Sequence, residues 1–228
     1  MSWELVASGK CCLKNMFLVL HVIEGFKNWR ESGIFYTLWT ILLQKYDKKI
    51  GIKWNWQSLD SISVKSPLGG AMTGHNPTDR GKLGTKRHIV TDKNGIPLSI
   101  VITSANTHDV TVAINTVDNM VIKRQSSSTD RNKKKKQNLC LEKAYHSKDV
   151  EQEIIKRGYI PHIRYRREEE EKLFHRKHPV RRWVVERTNS WHNRFRKLFT
   201  RYEKKDESYL GLVQLANSLI VYRRIILG

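Results

Sequence analysis

The sequence is poor in cysteine, and its apolar runs are short. Cys11, Cys12 and Cys140 make an odd count, and none of them stands in a Cys-x-x-Cys spacing. This pattern disfavours a zinc ribbon and a disulfide framework, and it fits a reducing cytosol. The most apolar early stretch, Met16 to Ile23, is far shorter than the ~20 residues of a membrane-spanning helix. We therefore expect a cytoplasmic protein without a signal sequence or a membrane anchor.

Acidic residues are also scarce. The chain has 22 Asp and Glu against 42 Lys and Arg, which gives a net charge of +20 and an isoelectric point near 10.0. An excess of this size, spread along most of the chain, predicts binding to a polyanion, most often a nucleic acid. A ribosome-associated protein or another adhesive basic protein would have the same charge, so charge alone does not decide between them.

An internal repeat with a period of about 20 to 50 residues is missing too. With 228 residues, of which 39% are hydrophobic, the chain can bury the core of one domain of ordinary size. Apolar side chains recur at spacings of three and four on both sides of Ser32-Gly33, which predicts two helices. We expect residues 1–50 to form an irregular start and this helical lead-in, and residues 51–228 to form the main domain.

The main domain begins with a strand signal. Apolar and polar side chains alternate from Trp56 to Lys65, and Pro67 interrupts the pattern. A β-hairpin follows, with its turn at Asn94-Gly95. Together with the later segments, this predicts the order β, β, β, α, β, α, β, α and then one further helix. The later ranges are Val110–Val121 (helix, capped by Thr107 or Asp109), a solvated basic loop Lys123–Gln137, Asn138–Glu142 (strand), Lys148–Gly158 (helix), Tyr159–Ile163 (strand), Pro179–Thr200 (helix) and Glu207–Ile226 (helix).

Three acidic residues occupy positions from which their carboxylates can converge. Asp60 lies in the first predicted strand, Glu142 at the end of the fourth and Glu186 inside the long basic helix. Carboxylates from two neighbouring strands and a helix across the sheet can hold two divalent cations about 4 Å apart, a pair that suits phosphodiester transfer. Each acid alone is more often a surface charge or half of an ion pair, so the prediction depends on their order and spacing.

Five ordered motifs extend over most of the main domain. They are Leu59-Asp60-Ser61, Gly74 to His88, Asn106-Thr107-His108-Asp109, Leu139 to Tyr145 around Glu142, and Arg182 to Trp191 around Glu186, followed by Arg194, Arg196 and Tyr202. Together they resemble the DDE transposases of the insertion-sequence-five family, and the resemblance covers roughly Gly51 to Ile226. It implies a ribonuclease-H-like fold, with a mixed sheet of about five strands, the first three antiparallel, and helices on both faces.

The resemblance also implies an activity and a set of site residues. Asp60, Glu142 and Glu186 take the catalytic positions and would be the ligands of two Mg²⁺ or Mn²⁺ ions. The implied reaction is DNA transposition, in which water and then a DNA 3′-hydroxyl attack phosphodiesters. The expected partners are insertion-sequence ends and target DNA, bound by a homodimer at the nucleoid. The DNA-binding candidates are Arg80, Lys82, Lys86, Arg87, Arg182, Arg194 and Arg196.

Two features depart from the family pattern. The second acid of the family is an aspartate, whereas this chain has Glu142, whose additional methylene moves the carboxylate by about 1.5 Å against the tight ~2.1 Å octahedral preference of Mg²⁺. Either catalysis is impaired, as in a degenerate copy, or Glu142 still binds metal and favours Mn²⁺. Complete relatives have a longer amino-terminal helical region, so the resemblance implies that this chain is truncated at its amino terminus.

Several residues and the function itself keep more than one interpretation at this point. Arg182 precedes Glu186 by one helical turn, so it either binds a DNA phosphate or neutralises the acid. The basic stretch Asn76 to His88 either contacts DNA phosphates or is a solvated loop. His108 either lies close to the metal site or hydrogen-bonds the surrounding loop. The alternatives to an active transposase are an inactive DNA-binding remnant and a basic structural or RNA-binding protein.

Overall fold

The computed structural model describes residues 20–124, 137–163 and 183–227. The strands are β1 (Trp56–Lys65), β2 (Gly74–His75), β3 (Leu83–Asp92), β4 (Pro97–Ser104), β5 (Gln137–Leu141) and β6 (Tyr159–Ile163). The helices are α1 (residues 20–31), α2 (Ile34–Lys49), α3 (Asp109–Asp118), α4 (Lys148–Lys156), α5 (Trp183–Asn193), α6 (Arg196–Phe199) and α7 (Asp206–Leu227), with a 3-10 turn at Lys143–Tyr145. The irregular start, most of the basic loop and the segment before α5 lie outside these ranges.

All six strands belong to one mixed sheet. β1 pairs antiparallel with β3 and parallel with β5, and β5 pairs parallel with β6. β4 and the two-residue β2, which the sequence did not predict, both pair antiparallel with β3. The five long strands therefore follow the order β4-β3-β1-β5-β6 across the sheet. This confirms the expected ribonuclease-H-like arrangement, in which the first three long strands are antiparallel.

Alternation along β3 assigns the helices to the two faces of the sheet. Successive side chains of a strand point to opposite faces. Lys86 contacts Asp109 of α3, whereas the next residue, Arg87, contacts Asn193 of α5. The face of Lys86 is therefore covered by α3, and we call it the α3 face. The face of Arg87 is covered by α5, and we call it the α5 face.

The helical lead-in packs on the last helix of the chain. Gly33 has a φ of +69°, a left-handed conformation that favours glycine, and it separates α1 from α2 as the sequence predicted. Trp39 and Leu43 of α2 join the same hydrophobic core as Val213 of α7. α7 is long and apolar enough to cross a membrane by length and composition alone, and 44% of its most apolar window is buried within the described residues. The domain boundary at residue 50 stays a prediction.

The long helix expected to end at Thr200 is interrupted, so that expectation is wrong. α5 ends at Asn193, and Phe195 has an extended backbone (φ −84°, ψ 104°) before the short α6 begins. The interruption turns the chain back towards β1. Thr200 forms a parallel bridge with Lys65, and the backbone N–H of Arg201 donates to the Lys65 carbonyl at 2.8 Å.

Candidate active site

The first two candidate acids each come directly after one member of the same cross-strand pair of residues. Leu59 of β1 pairs with Leu141 of β5 in parallel register. Asp60 and Glu142 come next along their strands, and alternation directs both towards the α5 face. Asp60 is buried, and one of its carboxylate oxygens accepts the backbone N–H of Ser61 at 2.8 Å. Glu142 is half-buried in an extended conformation, and the 3-10 turn starts directly after it.

The third candidate acid lies on the helix that covers this face. α5 packs against β1 and β3, and Thr188 Oγ1 donates to the carbonyl of Gly95 at 2.7 Å. At the other end of α5, Asn193 accepts a hydrogen bond from Arg87 at 3.2 Å. These contacts hold α5 across the sheet. Glu186 is exposed in the first turn of the helix.

Carboxylate oxygens are the ligands that Mg²⁺ and Mn²⁺ prefer in proteins. Within the described ranges, however, no group of three or more His, Cys, Asp and Glu side chains has a geometry that would hold a metal ion. The structure thus brings Asp60 and Glu142 to neighbouring strand positions and Glu186 onto the covering helix, but it does not gather all three carboxylates into one such group.

A buried polar cluster on the α3 face was missed by the sequence reasoning. We call Lys86, His88, Asp109 and Tyr145 the Tyr145 cluster. The Tyr145 hydroxyl lies 3.5 Å from His88 Nδ1, and Lys86 Nζ donates to an Asp109 carboxylate oxygen at 2.8 Å. One signal was available in the sequence. Tyr145 comes three residues after Glu142, and a single helical turn brings residues at that spacing together.

Burial sets the protonation states in this cluster. It raises the pKa of the Tyr145 phenol well above its ordinary value; the carboxylates of Asp109, Asp60 and Glu142 raise it further, and a hydrogen bond with Ser61 opposes the rise. Burial also lowers the pKa of His88 to about 4, an effect that outweighs the nearby Asp109 carboxylate. Tyr145 is therefore a protonated phenol and His88 a neutral imidazole at pH 7.

The predicted DNA-binding residues fall into different environments. Those exposed on the surface are Arg80, Lys82, Arg194 and Arg196. The Lys86 side chain is mostly buried, and its ammonium group forms an ion pair with Asp109. Arg87 is 0% exposed, and its guanidinium donates to Asn193 Oδ1 and to the Leu198 carbonyl. Because β3 turns Arg87 towards α5, the interpretation of this residue as a direct DNA contact is wrong for this structure. Arg182 lies outside the described residues.

The loop before α3 is organised by the backbone of His108. His108 is the N-cap residue of α3, and its carbonyl accepts hydrogen bonds from the N–H and the hydroxyl of Thr111 at 3.1 and 2.7 Å. The expected cap by Thr107 or Asp109 is therefore wrong. Asp109 lies in the first turn of the helix, where its negative charge is favourable, and its side chain binds Lys86 instead.

A second feature that the sequence reasoning missed lies next to Glu186. The guanidinium groups of Arg187 and Arg224 lie over the ring of Trp191, at 5.1 and 4.9 Å from its centroid. Arg187 also donates to the carbonyl of Asn94 at 2.5 Å. These contacts connect the middle and the second half of α5 to the β3–β4 turn and to the end of α7.

Comparison with known proteins gives matches in sequence and in structure. Residues 57–220 match the family model for the transposase DDE domain. The chain is 33% identical over 153 residues to a protein assigned as a transposase for insertion sequence element IS402 of Burkholderia cepacia, covering 67% of this chain and 70% of that protein. The catalytic domain of Mos1 mariner transposase matches with a TM-score of 0.34 and 9% identity, over 84% of this chain and 91% of that one. A pre-cleavage Mos1 transpososome matches with the same TM-score and 13% identity, over 84% and 61%.

Proposed function

Because the chain belongs to the transposase DDE domain family, we propose that it cleaves and joins DNA as a transposase of the insertion-sequence-five group. Asp60, Glu142 and Glu186 are the proposed catalytic residues. The observation that carries the proposal is the parallel pairing of Leu59 with Leu141. This register supports the proposal because residues 60 and 142 then occupy neighbouring positions of adjacent strands, on the face that α5 covers.

The donor set fits two Mg²⁺ or Mn²⁺ ions in its chemistry. All three groups offer hard carboxylate oxygens. Asp60 is buried and Glu142 half-buried, so cations bound between them would be partly shielded from water. When bound, divalent cations would stabilise the charge that develops on an attacked phosphate and would lower the pKa of the attacking hydroxyl.

The proposed reaction has two chemically similar steps. In the first, a water oxygen bonds to phosphorus at the end of the element, the bond to the 3′ oxygen breaks, and a 3′-hydroxyl remains. In the second, this 3′-hydroxyl attacks a phosphodiester of the target and releases another 3′-hydroxyl. Exposed Arg80, Lys82, Arg194 and Arg196 would contact DNA phosphates, in keeping with the net charge of +20. We propose a homodimer on the DNA, acting in the cytoplasm.

One specific observation favours a second candidate, a DNA-binding remnant without catalytic activity. Glu142 stands where the family has the shorter aspartate, and its backbone is fixed between β5 and the 3-10 turn. A longer side chain on a fixed backbone moves the carboxylate away from the position that an aspartate would give it. Replacement of Glu142 by Asp therefore separates the two candidates.

The test is a nicking assay on supercoiled plasmid in Mg²⁺ and in Mn²⁺. We expect wild type to give a metal-dependent product, and Asp60→Asn and Glu186→Gln to reduce it by about 100-fold or more. Glu151→Gln, which changes a half-buried glutamate on α4, is the matched control and should retain activity. An inactive wild type that gains activity through Glu142→Asp would support the remnant. Activity that persists in Asp60→Asn and Glu186→Gln would overturn the proposal.

A further inference from the structure

We infer that Tyr145 is a positioning residue that fixes the Glu142 carboxylate relative to Asp60. This inference rests on the proposed function, in which both acids hold cations. Tyr145 is not itself a ligand. It acts through its connections to both strands, and these connections set the separation between the two carboxylates.

The first connection runs through the backbone to Glu142. The N–H of Tyr145 donates to the Glu142 carbonyl at 3.0 Å and closes the 3-10 turn. Within that turn Lys143 and Ala144 are exposed, whereas Tyr145 is 0% exposed. The turn is thus anchored in the core by its last residue. Glu142 cannot swing away with the turn unless the Tyr145 ring leaves the core.

The second connection runs through the phenol to the neighbourhood of Asp60. The Tyr145 hydroxyl lies 3.5 Å from His88 Nδ1, and His88 is the antiparallel cross-strand partner of Ser61. The backbone N–H of Ser61 in turn donates to Asp60 Oδ1 at 2.8 Å. One side chain is therefore linked to the residue that orients the first acid and to the turn that carries the second.

The rest of the Tyr145 cluster keeps the phenol in place. His88 Nε2 lies 2.9 Å from Thr103 Oγ1, which holds the imidazole on the side of Tyr145. Lys86 neutralises Asp109, the third carboxylate near the phenol.

Tyr209 offers a matched comparison for a purely structural tyrosine. It is also 0% exposed, and its hydroxyl donates a single hydrogen bond, to the Leu198 carbonyl at 3.1 Å. Tyr209 lies on α7 and its hydroxyl contacts neither candidate strand end. Tyr→Phe at either position keeps the ring and removes one buried hydroxyl. The two variants should therefore lose similar stability, and they differ only in what the hydroxyl touches.

The experiment measures three quantities on the full chain with Tyr145→Phe and Tyr209→Phe. They are the midpoint of urea unfolding, the hydrogen exchange of residues 137–146 in metal-free protein, and the Kd for Mn²⁺ by calorimetry. We expect the midpoints to fall alike. Only Tyr145→Phe should accelerate exchange in 137–146 and weaken Mn²⁺ binding, by about tenfold, as for other residues that orient a ligand.

A second background tests whether the effect passes through Glu142. In Glu142→Gln, the further change Tyr145→Phe should alter the Kd for Mn²⁺ by less than about twofold, because the carboxylate that it positions is gone. Exchange and Mn²⁺ affinity that are unchanged in Tyr145→Phe, or changed equally in Tyr209→Phe, would overturn the inference. Failure of the wild type to bind Mn²⁺ would instead overturn the proposed function. The exchange data alone would then support or overturn the inference.

Discussion

The two faces of the sheet stabilise buried cations in different ways. On the α3 face, Lys86 is neutralised by the Asp109 carboxylate at 2.8 Å. On the α5 face, Arg201 is 0% exposed, and its guanidinium donates to oxygens that are not carboxylates. Those acceptors are the carbonyls of Ala71, Met72, Glu203 and Lys204 and the hydroxyl of Thr85.

The difference shows what each face contributes. The Lys86–Asp109 pair places two opposite charges beside His88, where Asp109 raises and Lys86 lowers the pKa of the imidazole. A guanidinium enclosed by carbonyls retains its charge and joins several segments of backbone, because its five N–H donors point in fixed directions. The α3 face thus contributes charges that act on His88 and Tyr145, and the α5 face fixes the positions of helices and loops.

The largest expected effect is that of Arg201→Met. The substitution leaves several buried carbonyl oxygens without a donor, so we expect the free energy of unfolding to fall by about 3 to 5 kcal/mol. Urea unfolding followed by circular dichroism measures the change. The control is Arg194→Met, at an exposed position on the same side of the molecule, which should cost less than about 0.5 kcal/mol. Equal losses in both variants would refute a joining role for the Arg201 guanidinium.

Lys86→Met should have the next largest effect. It leaves the mostly buried Asp109 carboxylate without its cation, at a cost of about 2 kcal/mol. Adding Asp109→Asn should restore part of this loss, because the uncompensated charge is then removed. Lys86 also lowers the pKa of His88, so that pKa should rise in Lys86→Met when it is followed by NMR. A His88 pKa that does not move would show that the charge of Lys86 does not act on His88.

Acid should lower the free energy of unfolding because each face contains a buried histidine. The two histidines act over different pH ranges. Burial lowers the pKa of His88 to about 4 and that of His192 on the α5 face to about 3, from an ordinary value of 6.5. Since the unfolded chain binds these protons first, stability is complete above pH 6.5 and falls as the pH drops towards the folded-state pKa values. Each histidine contributes a slope of about 1.4 kcal/mol per pH unit.

Substitution of each histidine separates the contributions of His88 and His192 to the pH dependence of stability. In His192→Leu, the unfolded chain should bind about one proton fewer relative to the folded protein between pH 6 and roughly pH 3, so the unfolding free energy should depend less steeply on pH. In His88→Asn the same change should extend only down to about pH 4. Urea unfolding at several pH values gives the slopes. If neither variant changes the slope, the two histidines are already protonated in the folded protein.

The smallest effect is expected for an ion pair outside both faces. Arg157 donates to both carboxylate oxygens of Asp118, at 2.7 and 2.9 Å, and the pair is partly exposed. Arg157→Ala should cost less than about 1 kcal/mol, and the cost should shrink at high salt because solvent ions screen the pair. A larger, salt-independent loss would mean that this surface pair behaves like the buried pair on the α3 face.

Strong local signals allowed much of the fold to be predicted. β1 has the predicted bounds Trp56–Lys65, and β6 has the predicted bounds Tyr159–Ile163. Alternation and the following Pro67 defined β1, and apolar periodicity placed α7 within one residue at each end. The interruption at Phe195 had no comparable signal. Packing of Leu198 into the core and the bridge from Thr200 to Lys65 are tertiary contacts, and these override helix periodicity.

The candidate site was harder to predict from the sequence than the fold was. The order of the motifs selected Asp60 and Glu142, and the parallel register places them together. Charge alone suggested that Lys86 and Arg87 were surface residues, because arginine and lysine are rarely buried without a partner. Their partners, Asp109 and Asn193, lie 23 and 106 residues away in the chain. A local sequence pattern cannot predict partners at such distances along the chain. The burial of both residues therefore became known only from the fold.

The bridge between Lys65 and Thr200 has a consequence for the order of folding. Closing a chain segment of this length costs roughly 4 kcal/mol in entropy, so the contact should form after the local hairpin of β3 and β4. During synthesis, the loop after β1 would lack its anchor until the ribosome has released Arg201 and Lys204, whose backbones bind Lys65 and Ala71. A nascent chain that stops before residue 200 would therefore contain the candidate acids of β1 and α5. It would lack the bridge between Lys65 and Thr200, which holds the end of β1 against a segment near the carboxy terminus.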